Sequence, residues 1–147
     1  MDQSLAYYVT LLRKSFVEYC NDRLTGAGLS QGQLSFILYV GKHPDSSPGE
    51  LARALRMDMG QTTRTVARLV GSDFLTREPN GRDRRSCLLR LTERGLEVFR
   101  LSHDLFGQWE ERVTGGLSGG ERMQLLSLLK KTAQYPECCR SKEESDR

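Results

Sequence analysis

This 147-residue sequence contains no long apolar run. No stretch approaches the roughly 18 consecutive apolar residues that indicate a membrane-spanning helix. The first residues, MDQSLAYYVTLLRKSF, lack the basic start, the long apolar run and the small-residue cleavage site of a secretory signal. We therefore expect a cytoplasmic protein without a membrane partner.

Cysteine and histidine are too few and too scattered to form a metal site. The four cysteines show no C-x-x-C pair, and the two histidines lie far from them in the chain. The sequence also lacks a nucleophile–base–acid constellation and a glycine-rich phosphate loop. We expect mostly inert thiols, no metal, no cofactor and no enzymatic activity.

Lysine is missing from the part of the chain in which arginine is most abundant. Residues 47–95 carry ten arginines, no lysine and six acidic residues, whereas residues 1–46 are neutral and residues 96–147 carry a net charge of −1. Arginine is suited to planar, bidentate hydrogen bonding and to phosphate recognition. The excess therefore favours an anionic polymer as the partner over a merely solvated surface.

Four segments have the pattern of a capping box, in which a short polar residue is followed three positions later by Gln or Glu. They are Ser30–Gln33, Ser47–Glu50, Asp58–Gln61 and Ser118–Glu121. Each precedes apolar residues at helical spacing, which predicts a mainly helical protein. The predicted helices span about residues 3–24, 30–42, 48–55, 58–72, 93–113 and 119–134. On the helix at 93–113, we expect one side to be formed by Leu96, Phe99, His103, Phe106, Trp109 or Glu110, and Val113.

The middle of the chain predicts a helix-turn-helix followed by a hairpin. Only Arg56 and Met57 separate two short helices, which is helix-turn-helix spacing. Residues 74–91 contain two short β-type runs around Asn80-Gly81, a pair that favours the positive φ of tight hairpin turns, although this loop looks longer than two residues. A helix-turn-helix places its second helix in the DNA major groove, and narrow minor grooves attract inserted arginines. The arginines at the hairpin tip suit such an insertion.

The chain resembles the MarR-type winged-helix regulators through one signature. It consists of Asp83-x-Arg85 followed by Leu91-Thr92-Glu93-x-Gly95, and the resemblance covers about residues 4–134. It implies that the wing aspartate pairs with and orients arginines and that Arg85 enters the minor groove. Family members very often have glycine where this chain has Asp73, but aspartate also adopts the left-handed conformation.

The expected fold is mainly α with a small β-hairpin wing, that is, a winged helix-turn-helix flanked by N- and C-terminal dimerisation helices. We expect one domain over residues 1–137, with the helix-turn-helix at about 48–71 and the wing at about 74–91. The dimerisation helices span about 3–24 and 93–134, and a polar tail covers residues 138–147. A larger monomeric core is the alternative to a dimer.

Two groups of residues are candidates for DNA contact. The recognition-helix group comprises Gln61, Thr62, Arg64, Thr65 and Arg68. The wing group comprises Arg82, Asp83, Arg84 and Arg85. Gln suits adenine and Arg suits guanine, although Gln61 has the alternative role of closing its capping box. We expect Arg90 and Arg94 to be structural ion-pair partners rather than DNA contacts.

The resemblance also implies a switch operated by a small, often phenolic, ligand or by a thiol. Aromatic residues at helical spacing are candidates for an effector pocket or are plain core: Tyr8, Phe16, Tyr39 and His43. Cys87 has arginine neighbours that favour a reactive thiolate, and Cys138-Cys139 is a possible cross-link between subunits.

The sequence therefore predicts a transcriptional regulator that binds double-stranded DNA. We expect a homodimeric repressor on a pseudo-palindromic operator, released by a small phenolic ligand or by thiol oxidation. The alternative is a winged-helix protein-interaction module without sequence-specific DNA binding.

Overall fold

The computed structural model describes residues 4–135. Along the chain, four α-helices are followed by one antiparallel hairpin and then by two more α-helices. In that order the elements are α1 (Leu5–Leu24), α2 (Gln31–Lys42), α3 (Pro48–Leu55), α4 (Met59–Gly71), β1 (Leu75–Pro79), β2 (Cys87–Leu91), α5 (Glu93–Val113) and α6 (Gly119–Ala133). A short 3-10 turn, Thr25–Ala27, follows α1. The expected mainly helical fold with a β-hairpin wing is confirmed.

Capping boxes start three of the helices, as the sequence predicts. Ser30, Ser47 and Ser118 each accept a hydrogen bond from the backbone three residues later, and the side chain at that position bonds back to the cap. At α4 only half of the box forms. Asp58 accepts from the Gln61 N–H at 2.9 Å, but within residues 4–135 the Gln61 side chain makes no return bond.

The turn between α3 and α4 is tight because its first residue adopts a left-handed conformation. Arg56 has φ 53°, and its N–H donates to the Arg53 carbonyl at 3.3 Å. The N–H of Met57 donates to the Ala52 carbonyl at 2.9 Å. These two bonds satisfy carbonyls at the end of α3 and reverse the chain toward α4.

The chain divides into two compact units, Met1–Gly107 and Gln108–Arg147. The first has a core built from α2, α3, α4 and the hairpin, whose fully buried apolar side chains include Leu34, Phe36, Ile37, Val40, Leu51, Val66, Leu69, Phe74, Leu75 and Leu89. The described part of the second unit contains the end of α5 and all of α6. Within it Arg122 donates its Nε–H to Glu110 Oε1 at 3.0 Å, and its Nη2 lies 2.9 Å from the same oxygen. No residue of α6 is buried.

The hairpin pairs Leu75 with Leu91 and Pro79 with Cys87. Its loop spans residues 80–86, which is too long for a two-residue primed turn. Gly81 has no positive φ, and the prediction that the loop is longer than two residues is confirmed. In a loop of this length the reversal is spread over several residues, and the Asn-Gly pair need not supply it.

The strand β1 follows α4 through Asp73, whose φ is 62°. The Asp73 N–H donates to the Val70 carbonyl at 3.1 Å, and the Phe74 N–H donates to the Leu69 carbonyl at 2.9 Å. This is the hydrogen-bond pattern that ends a helix in a left-handed residue. The left-handed conformation considered for Asp73 is confirmed.

The buried face of α5 is not the one that the apolar spacing predicts. Its buried residues are Gly95, Val98, Ser102 and Leu105. The expected residues Leu96, Phe99 and Phe106 are half-buried, whereas His103 and Val113 are exposed. On the buried face, Gly95 allows the start of α5 to approach the backbone at Phe74 closely.

Within residues 4–135, no helix has the length and apolarity needed to cross a membrane. The same residues contain no group of three or more His, Cys, Asp or Glu side chains arranged to hold a metal ion.

Candidate nucleic-acid interface

The second helix of the helix-turn-helix, α4, has one buried and one exposed side. Thr62, Val66 and Leu69 face the core. The exposed side chains include those of Gln61, Arg64 and Arg68, and Thr65 is half-buried. This helix therefore presents one amide and two guanidinium groups outward, which are the groups that bond to base edges and phosphates.

Thr62 is buried and cannot make the DNA contact that the sequence predicts. Its side chain is 0% exposed, and its hydroxyl donates to the Asp58 carbonyl at 2.8 Å. The residue lies four positions before Val66 and on the same face of the helix, so it belongs to the core. The prediction that Thr62 lies at the DNA surface is wrong.

The wing loop is shaped by two side chains that bond to backbone two residues ahead. Asn80 accepts from the Arg82 N–H, and Asp83 accepts from the Arg85 N–H, each at 3.0 Å. The Ser86 N–H donates to the Asp83 carbonyl at 3.1 Å and closes the second turn. Such Asx turns replace backbone turns and give the loop a defined conformation.

Asp83 orients the loop through the backbone. Its carboxylate accepts from the Arg85 N–H, whereas no salt bridge joins it to a guanidinium within the described residues. Arg82, Arg84 and Arg85 are exposed, and in residues 4–135 none of them forms a salt bridge either. Their three positive charges are available to an external anion.

Arg90, in contrast, pairs with two carboxylates, one from the loop between α2 and α3 and one from β1. Its Nε–H donates to Asp45 Oδ1, and its Nη1 lies 3.8 Å from Glu78 Oε2. The hydrogen bond to Asp45, followed by the two negative charges, raises the pKa of the Arg90 guanidinium. The expectation that Arg90 is a structural ion-pair partner is confirmed.

Arg94 is structural as well, but its partners are not carboxylates. Its two terminal nitrogens donate to the carbonyl oxygens of Ser72 at 2.9 Å and Ala27 at 3.1 Å. Its guanidinium also lies 4.4 Å from the centre of the Phe74 ring. The expected ion pair is therefore wrong: Arg94 caps the carbonyls of two loops and stacks on an aromatic ring.

A cavity of about 450 Å³ lies between the wing, the start of α3 and α4. It is lined by Ser47, Pro48, Gly49, Met59, Thr63, Arg77, Arg84, Arg85, Ser86 and Cys87. Three of these residues are arginines, and none of the lining residues, all in the described chain, is acidic. The cavity thus has the charge to hold a small anion, and two of its arginines belong to the wing tip.

Arg77 is a residue of this region that the sequence argument missed. It donates its Nε–H to the Cys87 sulfur at 3.3 Å. The strand register pairs Arg77 with Leu89 and Pro79 with Cys87, which makes Arg77 and Cys87 diagonal neighbours. With the strand register known, the hairpin sequence is sufficient to place Arg77 next to Cys87. The predicted arginine neighbourhood of Cys87 exists, although Arg90 is turned toward Asp45.

Comparison with known proteins assigns the chain to a protein family. Residues 27–86 match the MarR family. The HTH-type transcriptional regulator BilQ of Clostridium symbiosum is 38% identical over 137 residues, which cover 93% of this chain and 95% of that relative. The chain belongs to the MarR family.

Other family members agree in sequence and in structure. The multiple antibiotic resistance protein MarR of Escherichia coli is 31% identical over 112 residues, covering 76% of this chain and 78% of that protein. The crystal structure of its reduced form matches with a TM-score of 0.81 at 28% identity, over 88% of this chain and 96% of that one. A mutant Escherichia coli MarR complexed with operator DNA matches with a TM-score of 0.76 at 28% identity, over 87% and 92% of the two chains.

This MarR-family chain is therefore a transcriptional regulator with a winged-helix fold. These relatives are regulators of transcription and not enzymes, in agreement with the missing catalytic constellation.

The aromatic residues expected around an effector belong to different local contacts. The Tyr39 ring centre lies 4.6 Å from that of His43 at the end of α2. Phe16 of α1 contacts Phe106 of α5 at 5.3 Å. Tyr8 is exposed. An effector pocket formed by these residues stays a prediction.

The remaining cysteines differ in environment. Cys20 is fully buried, and its burial raises the pKa of the thiol, which disfavours the reactive thiolate. Cys87 is half-buried at the cavity. The polar tail at 138–147, with Cys138 and Cys139, lies outside the described residues.

Proposed function

We propose that this MarR-family regulator is a cytoplasmic homodimer that binds double-stranded DNA at a pseudo-palindromic operator and represses transcription. The observation that carries the proposal is the exposed arginine tip of the wing in the same compact unit as a recognition helix with an exposed polar face. These two elements provide contacts to both grooves of a duplex.

The roles of the individual side chains follow from their chemistry. Gln61 and Arg64 lie in the first turns of α4, the part of a recognition helix that approaches bases, where Gln bonds to adenine and Arg to guanine. Thr65 and Arg68 lie further along and bind phosphate. On the wing, Arg82, Arg84 and Arg85 bind in or beside the minor groove, and Asp83 holds their loop in shape.

Exposed apolar side chains support dimerisation. On α1 they include Leu5, Tyr8 and Val9. On α6 the side chains of Met123 and Leu128 are 75% and 53% exposed. Apolar patches of this kind mark protein interfaces, so we infer that both helices pack against a second copy. A two-fold dimer then presents its recognition helices about 34 Å apart, which matches successive major grooves.

Release from DNA uses the cavity at the base of the wing or a thiol beside it. A small acidic phenol bound there engages Arg84 and Arg85, two guanidinium groups that the operator also needs. Oxidation of Cys87 changes the same region. The aromatic residues of α1 and α2 are a second location for an effector.

The proposal is tested by fluorescence-anisotropy titrations with two duplexes at several salt concentrations. One duplex carries the DNA upstream of the protein's own coding sequence, and the other has the same base composition in shuffled order. We expect tighter binding to the first duplex and a linear fall of the logarithm of the binding constant with the logarithm of the salt concentration. Equal affinity for both duplexes would overturn sequence-specific binding and favour the protein-interaction module.

A further inference from the structure

The loop between α2 and α3 is bonded to the second strand of the wing. The Asp45 N–H donates to the Leu89 carbonyl at 3.0 Å, and the Leu89 N–H donates to the Ser46 carbonyl at 2.9 Å. Ser46 and Leu89 form an antiparallel bridge. Because Ser46 directly precedes the cap of α3, this bridge connects the wing to the beginning of the helix-turn-helix.

A single guanidinium reinforces that connection. Arg90 donates to the Asp45 carboxylate and lies near Glu78 on the other strand of the wing. The side chains are 51%, 44% and 54% exposed for Arg90, Asp45 and Glu78. Asp45 has φ 64°, a conformation that costs free energy for a residue with a side chain and persists where neighbouring contacts hold it.

We propose that Asp45 and Arg90 are positioning residues that fix the wing relative to the helix-turn-helix, so that DNA affinity depends on their ion pair although neither side chain contacts DNA. The proposal rests on the proposed DNA binding. Its physical basis is that the wing tip and α4 must reach one duplex together. Without the ion pair the wing samples other positions, and binding then requires an additional loss of conformational entropy.

Charge-changing variants distinguish the positioning role from a simple electrostatic effect on DNA affinity, because the two predict opposite changes for Asp45→Asn. Replacing Asp45 by Asn removes a negative charge, which by itself strengthens attraction to phosphates. Loss of positioning weakens binding instead. Arg90→Lys keeps the net charge but removes the Nε–H donor, so electrostatics alone predicts no change. The matched control is Glu78→Gln, which removes one negative charge from the same wing but only the longer contact.

The experiment measures binding of the full-length variants to the duplex that carries the protein's own upstream DNA. We expect Asp45→Asn and Arg90→Lys to weaken binding about twofold to fivefold, the range that corresponds to a favourable exposed ion pair. Glu78→Gln is expected to bind as tightly as the wild type or more tightly. Unchanged or tighter binding of Asp45→Asn would overturn the proposal.

Testing Asp45→Asn in two backgrounds distinguishes a loss of wing positioning from a general loss of stability as the cause of weaker DNA binding. In an Arg84→Ala/Arg85→Ala background, Asp45→Asn should have little further effect on binding, because a wing without its tip gains nothing from being positioned. An equal loss in both backgrounds would contradict a positioning role.

Hydrogen exchange of the Leu89 amide provides a readout without DNA. Its N–H donates to Ser46, so we expect faster exchange in Asp45→Asn than in Glu78→Gln. If the wild type fails to prefer its upstream duplex, the proposed function fails, and this exchange rate still decides whether the ion pair holds the wing. Equal exchange rates in the two variants would show that the Asp45–Arg90 ion pair does not hold the wing.

Discussion

At the residue scale, Gly95 has a role that comes from its missing side chain. A Cβ at this position would lie 2.2 Å from the Phe74 carbonyl oxygen and 3.2 Å from Leu91 Cδ2. The carbonyl is backbone and cannot move without shifting the junction between α4 and the wing. The sequence identified Gly95 only as the last residue of a signature, whereas the packing explains why glycine stands there.

We expect Gly95→Ala to lower the free energy of unfolding by about 1–3 kcal/mol, the usual cost of forcing an extra carbon into a packed site. Urea denaturation followed by circular dichroism measures it. The control is Gly32→Ala in α2, where the nearest heavy atom to the added carbon is 3.9 Å away and helix propensity improves. A urea midpoint for Gly95→Ala equal to that of the wild type would contradict this prediction, because the junction between α4 and the wing would then accommodate the added carbon without cost.

The wing arginines give a second prediction at this scale. Arg85→Ala removes an exposed guanidinium without a salt bridge in residues 4–135, so the fold should persist while DNA affinity falls by about 1–3 kcal/mol. Arg100→Ala, an exposed arginine on α5, is the matched control for the loss of one positive charge. Equal affinities of the two variants in anisotropy titrations would remove the wing tip from DNA recognition.

At the scale of elements, capping explains why the helix starts were predictable. The Ser47 hydroxyl accepts from the Glu50 N–H at 3.2 Å, and the Ser47 N–H donates to the Glu50 carboxylate at 2.7 Å. These bonds involve residues three positions apart and need no tertiary contact. The backbone bond from Ser47 is the main reason that the pKa of Glu50 lies below its ordinary value.

This lowered pKa predicts an acid dependence of stability. Because the pKa of Glu50 is lower in the folded chain than in the unfolded chain, its contribution is complete above about pH 4.3 and is lost as the pH falls through the folded-state value. We expect Glu50→Gln to retain the cap and to show a smaller decrease in urea midpoint on acidification. Glu97→Gln, exposed on α5, is the matched control for the loss of one carboxyl group. Parallel acid curves for wild type and Glu50→Gln would contradict this account.

At the scale of the whole molecule, the apolar surface left exposed on α6 supports the proposed dimer. The helix has no buried residue in the single chain, although it carries four leucines and one methionine. A solvated helix of this composition is unfavourable, because each apolar side chain that is buried stabilises by about 1.5–3 kcal/mol.

We therefore expect light scattering to give twice the 16.7 kDa mass of the chain. Leu125→Glu/Leu128→Glu should shift this toward the monomer and weaken DNA binding, because the two changes place charges on one apolar face of α6. Gln124→Glu/Ser127→Glu adds the same charges at exposed polar positions with the same spacing and should remain dimeric. A monomeric wild type would overturn the dimer.

The sequence by itself determined the order of the elements, the helix boundaries and the arginine-rich wing. These features depend on caps, periodicity and turn chemistry, which act between residues close in the chain. The family signature that includes Asp83 and Gly95 also predicted the winged-helix fold.

Only the tertiary structure decided which faces of the helices are buried and which charges stay available. Thr62 and Arg68 lie in the same polar-looking segment, yet one is in the core and the other is exposed. Arg85 and Arg90 are both arginines of the hairpin segment, but Asp45, far away in the chain, engages only Arg90. Burial and charge pairing depend on contacts between distant segments, and the rotation of a helix by one residue changes them all.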